Sequence, residues 1–210
     1  MKNEKILILA PHTDDGEFGC GGSIAKFMER GAEVYYAAFS LCEESLPPGW
    51  PKDTLEKELT KATAVWGIEK SNLLIYRYPV RRFADHRQDI LEDLVALQRG
   101  LIPTLVFMPS FNDLHQDHHV IASEGMRAFK KTTLLAYEMP WNNITFSTSL
   151  FIKLDERHLQ KKLSVLREYQ SQSAKGYAKE DFIRGLARTR GVSIDAEYAE
   201  AFEVVRWVID

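Results

Sequence analysis

Lys5-Ile6-Leu7-Ile8-Leu9-Ala10 runs directly into Pro11-His12-Thr13-Asp14-Asp15-Gly16-Glu17-Phe18-Gly19-Cys20-Gly21-Gly22. The first segment is a short uninterrupted apolar run, the pattern of a strand buried on both faces. The second crowds an imidazole, three carboxylates and several glycines between that strand and a helical pattern that Ser23 opens and Gly31 stops. Open α/β sheets bind ligands outside the carboxyl ends of their strands. Nothing structural requires so many charged groups at such a join, so the stretch reads as half of an active site.

Working outward, Glu33 to Ser40 reads as a second strand, and a strand, helix and strand with short joins form a βαβ unit with parallel strands. The breakers Pro47-Pro48-Gly49-Trp50-Pro51 mark a loop, and a helix follows from Asp53 or Thr54 to Trp66. Further strands are expected over 72–78, 104–108, 133–139, 146–154 and 201–209. Helices are expected over 86–99, 117–130, 155–170 and 179–190. The fold class is α/β, a Rossmann-like three-layer sandwich with a mostly parallel sheet. One domain spans 1–210, the part from about residue 146 elaborating it.

Composition narrows the partners. Charged residues make up 27% of the chain and the net charge is −3, with Lys and Arg dispersed, so no nucleic-acid footprint is present. No apolar stretch approaches the roughly 20 residues of a membrane span. Met1-Lys2-Asn3-Glu4-Lys5 passes straight into a core strand, and Cys20 and Cys42 are the only cysteines. A cytoplasmic protein with free thiols is expected. A homo-oligomer is compatible with the sequence.

The second chemical stretch is Pro109-Ser110-Phe111-Asn112-Asp113-Leu114-His115-Gln116-Asp117-His118-His119, again between a strand and a helix. Parallel strands would open both stretches on one sheet edge. His12 and Asp15, joined by one of the later histidines, would make a set of two imidazoles and one carboxylate that leaves coordination positions open, as catalytic zinc requires. Ligand type alone does not separate zinc from Fe(II) or Mn(II). His119 points about 100° away from His118 around a helix and is expected to be solvated or supporting. His158, in a polar helix start, is expected to be solvated.

The run from Pro11 to Gly22 closely resembles the N-terminal motif of the PIG-L/LmbE-like zinc-dependent N-deacetylases, and His115-Gln116-Asp117-His118 resembles their His-x-Asp-His motif. Tyr169-Gln170-Ser171-Gln172, Ala187-Arg188-Thr189-Arg190-Gly191 and Tyr198-Ala199-Glu200-Ala201-Phe202-Glu203 resemble the family's later segments. The resemblance implies zinc held by His12, Asp15 and His118, with Fe2+ or Mn2+ as other metals. It implies Asp14 as general base and His115 as the group that stabilises the oxyanion and helps protonate the leaving amine. Asp117 would orient an imidazole. Thr13 replaces a common proline, and Gly16 stands where many members carry an acid.

The implied function is a metal-dependent hydrolase that removes the N-acetyl group of an N-acetylglucosamine-type conjugate. An amidase acting on another acyl group or a non-sugar amide is a second reading. A non-catalytic sugar- or nucleotide-binding module is a third. Substrate choice is expected in the loops 43–51, 80–87 and 139–145. Arg81 and Arg82 would offer guanidinium forks to a phosphate or a sugar hydroxyl, while Tyr137 and Glu138 end a strand on the presumed active edge.

Overall fold

The computed structural model describes residues 4–209. Seven strands form one sheet: β1 (Lys5–Ala10), β2 (Glu33–Ala38), β3 (Leu73–Ile75), β4 (Leu105–Pro109), β5 (Thr133–Tyr137), β6 (Leu150–Leu154) and β7 (Tyr198–Arg206). Their order is β3-β2-β1-β4-β5-β7-β6. The first five strands are parallel, and β7 and β6 are antiparallel additions. The chain winds outward from β1 in both directions, so β1 and β4 flank the switch point where such sheets bind ligands.

Helices cover both faces: α1 (Asp15–Glu29), α2 (Thr54–Trp66), α3 (Arg87–Leu101), α4 (Gln116–Ala128), α5 (Glu156–Leu166) and α6 (Glu180–Val192). Alternation along β1 divides the core. Ile6, Ile8 and Ala10 pack with residues of α1, α2, α5 and α6, whereas Leu7 and Leu9 pack with α3 and α4. This is the expected three-layer α/β sandwich with a mostly parallel sheet. The strands at 72–78 and 146–154 prove shorter than their apolar patterns, and the last one begins at Tyr198.

The main departure from expectation lies in α1. It begins at Asp15, well before Ser23, and is interrupted at Cys20, whose φ of −142° and ψ of 20° are non-helical. Glycine is a poor helix former in isolation, which hides this turn from a propensity reading. Packing overrides the propensity. A Cβ at Gly16 would lie 2.7 Å from Ile8 and Tyr36, and one at Gly19 would lie 2.5 Å from the Tyr137 ring. The glycines let the helix start lie directly on the sheet, and they leave room for no acid at position 16.

A buried ion pair secures the interruption. Glu200 on β7 accepts from the Gly22 and Ser23 amides at 3.0 and 2.7 Å, while Lys162 on α5 donates to Glu200 at 2.7 Å and to the Phe18 carbonyl at 2.6 Å. The Gly22 and Ser23 amides and the Phe18 carbonyl at the break therefore have side-chain partners. His158 is a correction to the solvated expectation. It is buried, and its Nδ1 accepts from the Asp155 amide at 3.0 Å in a capping box. Among the described residues no helix is long and apolar enough to cross a membrane.

Candidate metal centre and active site

His12 leaves β1 in the short turn before α1, Asp15 is the first residue of that helix, and His118 lies in the first turn of α4. Because β1 and β4 are adjacent and parallel, both turns open on the same edge. His12 Nδ1 lies 3.2 Å from Asp15 Oδ2, His118 Nε2 lies 3.2 Å from the same oxygen, and the two nitrogens are 3.2 Å apart. Ligands about 2.0–2.1 Å from a shared zinc stand roughly 3.3 Å apart in a tetrahedron. The donor triangle therefore has the size such an ion needs.

Both rings are held by a carboxylate behind them. His12 Nε2 contacts Asp117 Oδ2 at 3.1 Å, and His118 Nδ1 contacts Asp113 Oδ2 at 2.7 Å. A carboxylate accepts, so the outer nitrogen of each ring keeps its proton and the inner one is the atom that a cation could take in place of a proton. Asp117 is fixed in turn by the amides of Arg81 at 2.6 Å and Phe83 at 3.2 Å. Asp113, to which the sequence reading gave no role, is the carboxylate behind His118. Its place in the second loop, among acids and histidines, was the available signal.

The electrostatics are those of a cation site. Burial opposes ionisation of Asp15, yet His118 and His12 hold its carboxyl well below the usual range. Burial opposes charge on His118 too, but Asp15 and Asp113 outweigh it and raise its pKa to about 10. A divalent cation would take the place of these protons.

Asp14 adjoins the triangle. It precedes α1 but makes no side-chain cap, so its carboxylate remains available to the cavity it lines. Burial and the neighbouring Asp15 raise its pKa to about 6, while Lys175 and His12 pull it down. His115 precedes α4, and its Nδ1 accepts from the Asp117 amide at 3.2 Å. An imidazolium has no lone pair to accept with, so His115 is neutral here and carries its proton on Nε2. Burial, reinforced by His12 and His118, lowers its pKa to about 4. A ring nitrogen of His115 lies within 4.8 Å of those of His12 and His118.

The model of the PIG-L family, described as GlcNAc-PI de-N-acetylase, matches residues 7–129, which contain all of these groups. The chain belongs to the PIG-L family. It is similar to the uncharacterized deacetylase YaiS of Escherichia coli (strain K12), 27% identical over 81% of this chain and 92% of that protein. It is similar to the probable N-acetyl-alpha-D-glucosaminyl L-malate deacetylase 2 of Bacillus anthracis, 27% identical over 83% of this chain and 84% of that one. The crystal structure of the conserved protein TT1542 from Thermus thermophilus superposes with a TM-score of 0.82 at 25% identity, covering 98% of this chain and 96% of that chain. Membership in this hydrolase family sets aside the non-catalytic binding module.

The PIG-L site opens into a cavity of about 380 Å³ lined by Asp14, Asp15, His12, His115 and His118 at the metal end. The rest of its wall includes Cys42, Ser45, Val80, Trp141, Asn142, Gln172, Lys175 and Tyr177. Each loop expected to govern substrate choice thus contributes. The segment holding Lys175 and Tyr177 was missed, because it carries no hydrophobic period and its family-like residues stop at Gln172. Tyr169, just past α5, donates to the Thr13 carbonyl at 2.7 Å and lies 2.8 Å from Glu17 Oε1, bracing from behind the turn that carries His12.

Four residues expected at the substrate lie elsewhere. Tyr137 is fully buried under Gly19, and its hydroxyl donates to the Leu9 carbonyl at 2.9 Å. Glu138 is not among the residues lining the cavity and is bound in an ion pair with Arg190. Arg82 is exposed and pairs with Asp85 at 2.6 Å. Arg81 adopts a φ of +66° and serves through its backbone amide to Asp117, so its guanidinium is not part of the cavity wall. His119 is exposed, as expected.

Proposed function

We propose that this PIG-L protein hydrolyses the acetamide of a small N-acetylated amino sugar, with zinc held by His12, Asp15 and His118. The observation that carries this reading is the 3.2 Å triangle of His12 Nδ1, Asp15 Oδ2 and His118 Nε2, with Asp14 beside it in the same cavity. A zinc ion bound there polarises an amide carbonyl and lowers the pKa of water toward about 7.

The chain's own groups supply the rest. Asp14 accepts the proton of the attacking water, a role suited to a carboxylate whose pKa stands near 6. His115 donates its Nε2 proton to the oxygen that gains charge as the carbonyl carbon becomes tetrahedral, acting as a neutral hydrogen-bond donor. The proton held by Asp14 then passes to the nitrogen as the carbon–nitrogen bond breaks. The second proton of the water follows to the amine, so acetate and the protonated amine leave and Asp14 returns to its starting state. Asp113 and Asp117 keep both imidazoles oriented throughout.

Acetate release from N-acetylglucosamine, its methyl glycosides and diacetylchitobiose, by protein of verified zinc content, tests the reading. Stoichiometric zinc with no acetate from any of them, alongside release from a simple non-sugar acetamide, would replace it with the amidase reading.

A further inference from the structure

Lys175 is the only Lys or Arg among the residues lining the active-site cavity. Among the described residues no carboxylate lies within ion-pair distance of its ammonium, although the surface carries many such pairs. It is nevertheless placed rather than loose. Its Nζ sits 5.4 Å from the centre of the Tyr177 ring. Tyr177 is stacked on Trp141 at 4.1 Å and 11°, and both rings meet the edge of Phe18 at 5.4 Å. Phe18 is itself set by Lys162, which holds its carbonyl. A packed aromatic cluster therefore presents one cation at the cavity mouth.

We infer that Lys175 reads a negatively charged substituent, a carboxylate or a phosphate, on the group attached to the amino sugar, which makes it a specificity-determining residue. The inference rests on the amino-sugar reading of the metal site. Asp15 and His118 are buried and Lys175 is exposed, so Lys175 stands nearer the cavity's opening than they do, with Asp14 and Asp15 still within reach of its charge. With the acetamide at the metal, whatever is linked to the sugar extends toward the mouth. A volume of about 380 Å³ lies near the small end of ligand pockets, which run from about 300 to 1,000 Å³, and suits one sugar ring with a short substituent. Asn142, Gln172 and Ser45, also on the cavity wall, offer neutral hydrogen-bonding groups to sugar hydroxyls. An ammonium without a carboxylate partner gains most from an anion. The competing role for Lys175 is to act on Asp14, whose pKa its charge lowers. That role would affect every substrate alike.

Matched ligands separate these roles: the carboxymethyl glycoside of N-acetylglucosamine, its carbamoylmethyl counterpart, which differs by one charge, and N-acetylglucosamine 1-phosphate. Their affinities are measured by calorimetry on the zinc-loaded Asp14→Asn protein, with and without Lys175→Ala, Lys175→Arg or Lys175→Glu. The preference for a charged over the neutral glycoside is expected to be about tenfold, the scale of a hydrogen bond to a charged group. It should collapse in Lys175→Ala, invert in Lys175→Glu and return in Lys175→Arg. Comparison of carboxylate with phosphate identifies the anion. Binding of all three ligands without preference, or a preference that survives Lys175→Ala, would overturn the inference while leaving the amino-sugar reading intact. Binding of none would overturn both.

Discussion

The carboxylate of Asp113 lies 2.7 Å from Nδ1 of His118, and both side chains are shielded from solvent. The amide of His115 also donates to Asp113, at 2.8 Å, so one acid orients the His118 ring and anchors the turn that carries His115. Outer partners of ligating histidines commonly govern metal affinity by about 10–100-fold. Asp113→Asn should therefore weaken zinc binding by about that factor, measured by competition with a chelator of known affinity. Affinity equal to the wild type would mean that His118 is held by its packing alone.

Asp117 does the same for His12 while tying down the amides of Arg81 and Phe83. Asp117→Asn should reduce zinc affinity and also loosen the turn before α3. Faster amide exchange at Phe83, measured alongside the metal titration, would report that second effect. Weakened zinc binding with unchanged exchange there would detach the turn from the metal centre.

The close seating of α1 predicts opposite outcomes for two glycines. Gly19→Ala would bring a methyl 2.5 Å from the Tyr137 ring and should cost about 1–3 kcal/mol, the range of an overpacked core. Gly100→Ala, in α3 with nothing within 4 Å of the added carbon, should gain up to about 1 kcal/mol from helix propensity. Urea denaturation of the two variants decides it. A Gly19→Ala protein as stable as the wild type would mean the helix start is not pressed onto β5.

Lys162 and Glu200 form a pair with each side chain 7% exposed. Removing one charge leaves the other uncompensated, so Lys162→Met should cost about 3–5 kcal/mol. The double variant Lys162→Met/Glu200→Gln should recover part of that loss in equilibrium unfolding. A single variant within about 1 kcal/mol of the wild type would show that water already reaches the pair.

Much of the fold was legible because buried parallel strands leave uninterrupted apolar runs, as in β1, β4 and β5. The convergence of His12, Asp15 and His118 was legible because they sit in strand-to-helix turns, which parallel strands must open on one edge. The start of α1 was not, since Gly16 and Gly19 answer to Ile8, Tyr36 and Tyr137, which are remote in sequence. Arg81 misled for a similar reason: its positive φ turns the backbone amide, not the guanidinium, toward the site. Tyr137 resembled a rim residue by its strand-end position, and only the glycine above it explains its burial. Lys175 and Tyr177 reach the cavity from the far end of the chain, where no local pattern announces them.

The most direct test of the account is a paired measurement on wild-type and Asp14→Asn protein: zinc content, and acetate released from N-acetylglucosamine glycosides. Equal zinc is expected in both, with turnover lower by roughly 100-fold or more in the variant, the scale of general acid–base catalysis. Equal turnover in the two proteins at equal zinc occupancy would contradict it.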